Sequence, residues 1–230
     1  MANNLEMLQR VAKGLEDLKN EVVFVGGSVA ELYADDPELS DVRPTLDVDC
    51  VVELSTRKSY YELEDELRKR KFKNDTTSGA PICRWIYEDI IVDIMPLDAD
   101  ILGFGNKWYA LGVEHKVDKI LPDGTYIYIF PVEYYLASKF EALRGRGGKD
   151  LRLSHDFEDI IYILDNCIDI AEDISVNTEI SLKSYLKEQC LKLLEDQNIT
   201  EAITCSLPLH SDEERMTMIY ETISNISKIG

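Results

Sequence analysis

The sequence predicts an α/β (α+β) chain in two parts, strands with flanking helices over residues 1–130 and a mainly helical part over 131–230. Three observations predict it. Short β-branched or alternating apolar runs all lie before Pro131. Apolar residues at helical spacing dominate after it. The 230 residues are 45% hydrophobic, enough for a real core and too apolar for chain-wide disorder.

The elements follow in order. Leu5, Leu8, Val11, Leu15 and Leu18 keep helical spacing, so the N-terminus reads as an amphipathic helix rather than a signal peptide. Glu21–Val25 is a short apolar strand running into Gly26-Gly27-Ser28, after which Val29–Tyr33 turns helical. A polar stretch with two prolines separates this from a second, alternating strand, Leu46–Val52. Arg57–Lys71 is a charged helix, and the apolar runs Ile82–Tyr87 and Ile90–Leu97 form a hairpin about Glu88-Asp89. Trp108–Val117 is ambiguous; Pro122-Asp123-Gly124 is a turn before a strand at Thr125–Phe130. Helices are then expected at Val132–Arg144, His155–Leu164, Leu182–Leu194 and Glu213–Ile226.

Charge and cysteine usage exclude several classes. Lys+Arg total 25 against 44 Asp+Glu, a net charge of -19, which argues against a general charge-driven coat for nucleic acid. Five scattered cysteines without a C-x-x-C pair indicate neither a disulfide framework nor a zinc site and fit a reducing cytoplasm. No run of about 18 apolar residues is present, so no membrane partner is expected. The stretches Arg57–Lys73 and Lys139–Arg152 hold 12 of the 25 basic residues; the second is spaced by Gly145, Gly147 and Gly148 and reads as a basic loop suited to a polyphosphate or an RNA end.

Three features carry chemistry. Two glycines at Gly26-Gly27-Ser28 let the backbone approach a ligand, and a following helix would offer N–H groups to a phosphate. Asp47 and Asp49 are i and i+2 on one strand and share a face. Asp93 interrupts the apolar run Ile90–Met95, where an unpaired charge is unfavourable. Three acids on neighbouring strands make an oxygen-rich site for Mg²⁺; a salt bridge from Asp93 to Arg84 is the plainer alternative. Cys50, beside Asp49, is expected to pack. In the helical part, Asp156 and Asp159 lie three apart on one helix, with Asp159 the better placed to face inward and Asp156 explained by an N-cap at Ser154. His155 reads as a surface residue, and His115 and His210 show no partner in the sequence.

Gly26-Gly27-Ser28, Asp47-x-Asp49 and a later strand bearing Asp93 together resemble the DNA polymerase beta-type nucleotidyltransferase superfamily. The run Arg43-Pro44-Thr45-Leu46-Asp47-Val48-Asp49 resembles more narrowly the AbiEii/MenT toxin branch, as do a lysine helix around Lys139, a basic stretch at Arg144, Arg146 and Lys149, and the acidic helix Asp156–Ile160. The resemblance covers roughly residues 20 to 165. It implies a mixed sheet with flanking helices, Mg²⁺ held by Asp47, Asp49 and Asp93, a triphosphate on Gly26, Gly27 and Ser28, and Asp93 as metal ligand or base. It further implies phosphate contacts from Lys139 and Arg144, with Asp159 orienting Lys139 or an arginine. The implied reaction moves a nucleoside monophosphate from an NTP to an acceptor hydroxyl, the 3′ end of tRNA for a toxin with a cognate antitoxin. A small hydroxyl compound, as in antibiotic-modifying relatives, is the second acceptor, and a non-catalytic nucleotide-binding or interaction module is the third reading. Ser28 to Asp47 spans 19 positions, longer than typical for the superfamily, which leaves a loop around Asp35–Val42 expected near the mouth of the site.

Overall fold

The structure is a computed structural model that describes residues 3–37, 41–54, 56–103, 105–146, 150–208, 211 and 213–230. The chain forms two compact units, Met1–Val29 with Pro44–Pro131, and Ala30–Arg43 with Val132–Gly230. It is an α+β protein.

The first unit holds one mixed sheet. Among the described residues its strands are β1 (Val22–Val25), β2 (Asp47–Val52), β3 (Lys73–Asn74), β4 (Arg84–Tyr87), β5 (Ile90–Pro96), β6 (Val117–Ile120) and β7 (Tyr126–Ile129), in the order β3-β4-β5-β2-β1-β7-β6. β2 runs parallel to β5 and antiparallel to β1, β1 runs parallel to β7, and the other pairs are antiparallel. Strands β5, β2 and β1, which carry most of the sheet's buried residues, sit together at its centre. Glu88, with φ 54, turns the expected β4–β5 hairpin.

Helix α1 (Asn4–Leu15) packs Leu8, Val11 and Leu15 into this core against β2 and β5. Its start is capped by Asn3, whose side chain accepts from the Glu6 N–H at 2.7 Å. The α-helix stops short of the expected Leu18 because Glu16 adopts φ 55, and a 3-10 helix, Glu16–Asn20, carries Leu18 inward. A Cβ on Gly14 would overlap the Tyr87 ring, so glycine permits this approach of α1 to β4. Helices α2 (Arg57–Lys69), α3 (Ala99–Leu102) and α4 (Tyr109–Glu114) complete the unit. The ambiguous stretch 108–117 divides into α4 and the start of β6.

The second unit is helical, with α5 (Val132–Gly145), α6 (His155–Asn166), α7 (Ile170–Val176), α8 (Ile180–Glu195), α9 (Ile199–Ser206) and α10 (Glu213–Ser227). Its core is built from Tyr134, Tyr135, Phe157, Ile160, Leu186 and Ile223 and their neighbours. The segment Ala30–Arg43, which the sequence groups with the strands, belongs here. Its anchors are specific: the Asp35 N–H donates to Asn166 O at 3.0 Å, the Ile168 N–H donates to Asp35 Oδ2 at 2.7 Å, and the Tyr33 ring meets Tyr135 at 4.7 Å. Residues 38–40 of the expected 35–42 loop lie outside the described residues. Among the described residues no helix is long and apolar enough to cross a membrane.

Candidate functional site

The sheet register assembles a row of side chains across four strands. Asp93 of β5 is in register with Asp49 of the parallel strand β2 and with Arg84 of the antiparallel strand β4. Asp49 is in register with Val25, the last residue of β1 before the Gly26-Gly27-Ser28 turn. Residues in register on adjacent strands share a face, and Asp47 joins that face by its two-residue spacing from Asp49. One carboxylate oxygen from each of Asp47, Asp49 and Asp93 then lies within 4.8 Å of the others. Carboxylates at 4.8 Å repel by about 3 kcal/mol at an effective dielectric near 20 and by about 1 kcal/mol in water. A cation relieves that repulsion.

Several local features hold the cluster in place. The Thr45 N–H donates to Asn4 Oδ1 at 3.0 Å and the Thr45 hydroxyl donates to Asp47 O at 3.2 Å, which fixes the entry into β2. Gly26 has φ 76, and a Cβ there would overlap Asp49 Oδ2. Glycine at 26 therefore serves both the turn and the seat of the carboxylate. Ser28 is buried with a hydroxyl that has no hydrogen-bond partner among the described residues. The segment that follows is a seven-residue 3-10 helix, Gly27–Tyr33, not the α-helix expected to present N–H groups to an anion. Cys50 is fully buried and burial pushes its thiol well above the ordinary value, so it packs. Burial likewise pushes the Cys83 thiol up to about 12.

A positive charge already stands in the cluster. Arg84 Nε donates to Asp93 Oδ1 at 2.9 Å and Nη2 donates to Asp93 Oδ2 at 2.7 Å, while Nη2 lies 4.0 Å from Asp47 Oδ2. These hydrogen bonds raise Arg84 above its ordinary value. The salt bridge weighed against a metal reading is thus present, and both are compatible with the same three acids.

The remaining predicted residues form a separate network in the second unit. Lys139 of α5 and Asp159 of α6 are buried and paired at 2.6 Å. Arg43 closes on the same carboxylate from Nε at 2.8 Å and Nη2 at 3.0 Å. Burial alone would raise Asp159, but the Lys139 and Arg43 charges outweigh it and hold the carboxyl below its ordinary value. Asp156, expected to be an ordinary first-turn acid, is also buried and accepts from Arg146 at 2.8 Å with Lys139 at 3.8 Å, while Ser154 caps the helix as expected. Arg144 pairs with Glu141 at 2.8 Å, and Arg152 pairs with Asp150 and Glu201. His155 is exposed beside Glu158. The arginines expected to grip an anion are thus engaged with acids; Gly147, Gly148, Lys149 and His210 lie outside the described residues. Arg43 is the residue whose role the sequence missed, since its partner is 116 positions away.

This row meets the donor requirement of a hard divalent cation, oxygen ligands with net negative charge. No protein-family model matches the chain, and no curated protein matches it.

Proposed function

We propose that the chain is a Mg²⁺-dependent nucleotidyltransferase that moves a nucleoside monophosphate from an NTP to an acceptor hydroxyl. The observation that carries this reading is the convergence of Asp47, Asp49 and Asp93 within 4.8 Å, in register with the strand end that leads into Gly26-Gly27-Ser28. The donor set fits a hard cation, and Asp47, Asp49 and Asp93 would hold it. A divalent ion there supplies charge stabilisation for the attacking and leaving oxygens of a displacement at phosphorus.

The chain's own groups have distinct parts in this reading. Gly26 leaves the space beside the turn to the Asp49 carboxylate, and the unpartnered Ser28 hydroxyl is a donor without an acceptor among the described residues. Asp93 would take the acceptor proton or share the ion, and in this structure Arg84 donates a hydrogen bond to each of its oxygens. Lys139 is committed to Asp159 and Asp159 to both Lys139 and Arg43, which supports an orienting part for Asp159.

The sequence resemblance puts forward the 3′ end of tRNA as acceptor and a cognate antitoxin as partner, with a small hydroxyl compound as the second acceptor. A non-catalytic module is the competing reading, favoured by the Arg84–Asp93 pair, which satisfies Asp93 without an ion. Incubation of the purified protein with total tRNA, Mg²⁺ and each α-labelled NTP in turn tests the three. Label in RNA that disappears in the Asp47→Ala/Asp49→Ala variant supports the proposal and identifies the nucleotide. Pyrophosphate release only with a small-molecule extract moves the acceptor to a metabolite. Turnover that survives the double substitution overturns the site assignment, and silence in both assays favours the module.

A further inference from the structure

Arg84 occupies the electrostatic position that a cation would need. Its Nη2 lies 2.7 Å from Asp93 Oδ2 and 4.0 Å from Asp47 Oδ2, so one guanidinium nitrogen stands toward both carboxylates. Nε meanwhile takes Asp93 Oδ1, so both oxygens of Asp93 are engaged. Mg²⁺ binds oxygen at about 2.1 Å, so an ion on Asp93 Oδ2 would stand within about 5 Å of Nη2, like charges side by side. Arg84 also has a way out: its side chain is 25% exposed, whereas that of Asp93 is 11% exposed.

We infer that Arg84 is an intramolecular stand-in for the cation, and that a divalent ion enters by displacing it from Asp93. The inference rests on the cation site proposed above. It makes ion binding and release of Arg84 a single exchange: the acids keep a counter-charge at all times, and the free guanidinium becomes available to an anionic group only once the ion is in place. It also resolves the competition between the salt-bridge and metal readings of Asp93, because the two describe alternative occupants of one position.

Titration of the full chain with Mn²⁺, followed by the electron paramagnetic resonance signal of free ion, tests this. Arg84→Gln removes the competing charge and should tighten Mn²⁺ binding by about tenfold or more. Arg84→Lys, which keeps the charge but cannot span both oxygens, should fall between the two. Asp49→Asn should weaken binding in either background, which locates the ion. Equal or weaker binding by Arg84→Gln overturns the exchange while leaving the cation site standing. Absence of binding in the wild type and in Arg84→Gln overturns the cation site and the exchange with it.

A second measurement does not depend on Arg84→Gln folding. In ¹⁵N-labelled wild type, the Arg84 Nε–H resonance, assigned by its loss in Arg84→Lys, should move to the position of solvent-exposed arginines as Mg²⁺ saturates the site. A resonance that stays in place at saturation overturns the exchange.

Discussion

Replacing Gly26 by alanine would act on Asp49 rather than on the turn alone. The backbone there has φ 76, which adds roughly 1 to 2 kcal/mol of strain for a residue with a side chain. The new methyl would also overlap Asp49 Oδ2, the far end of a side chain that can swing away. The expected result is a modest loss of thermal stability with a large loss of Mn²⁺ affinity, read from a melt and a titration on the same sample. A stability loss with unchanged affinity would separate the turn from the carboxylates. The double variant Asp47→Ala/Asp49→Ala should behave oppositely. Without ion, relief of carboxylate repulsion should stabilise it by about 1 kcal/mol, while Mg²⁺-dependent transfer falls to background.

Between α5 and α6 the controlling contact is the Lys139–Asp159–Arg43 cluster. Two cations meet one carboxylate whose side chain is 1% exposed, so Asp159→Asn strips the buried Lys139 and the part-exposed Arg43 of their nearest counter-charge and leaves them Asp156 and Glu158, each at 3.8 Å. Removing one partner of a buried pair costs about 3 to 5 kcal/mol. Lys139→Met, which removes a charge and keeps the volume, should cost less. The pH dependence follows from the depressed carboxyl. Its stabilisation is present above the unfolded value, 3.8, and is lost as pH falls through the lower folded value. The stability gap between wild type and Asp159→Asn should therefore be constant at neutral pH and shrink only below about pH 4. A gap that changes between pH 6 and 8 would point to another group.

These elements show what was legible beforehand and why. Asp47 and Asp49 share a face by spacing alone, and Asp93 stands out as a lone acid among Ile90, Ile91, Val92 and Ile94, so local pattern suffices for each. The register that sets Asp93 beside Asp49 is non-local and has no signature in either strand. Arg84 could be named as a partner because a hairpin fixes its register with Asp93. Arg43 could not, because a tertiary contact across 116 positions leaves no periodicity. The short helices α7 and α9 and the two-residue strand β3 were missed because they contain too few residues to display a period.

At the scale of the whole molecule, a net charge of -19 makes every cation stabilising to some degree, so a simple rise in melting temperature with Mg²⁺ would prove little about the acidic row. The two effects differ in form. Screening of diffuse self-repulsion grows gradually with ionic strength and is shared by Na⁺ and Mg²⁺ at equal ionic strength. Binding at Asp47, Asp49 and Asp93 saturates, and stabilises by about 2.7 kcal/mol at one hundred times the dissociation constant. Melts in a fixed high concentration of NaCl, with screening already in place, should therefore still show a saturable Mg²⁺ increment. That increment should vanish in Asp47→Asn/Asp49→Asn, where the chain keeps nearly all of its net charge and loses only the row. Its persistence in that variant would assign the stabilisation to the acidic surface as a whole, and the case for a metal centre in the sheet would go with it.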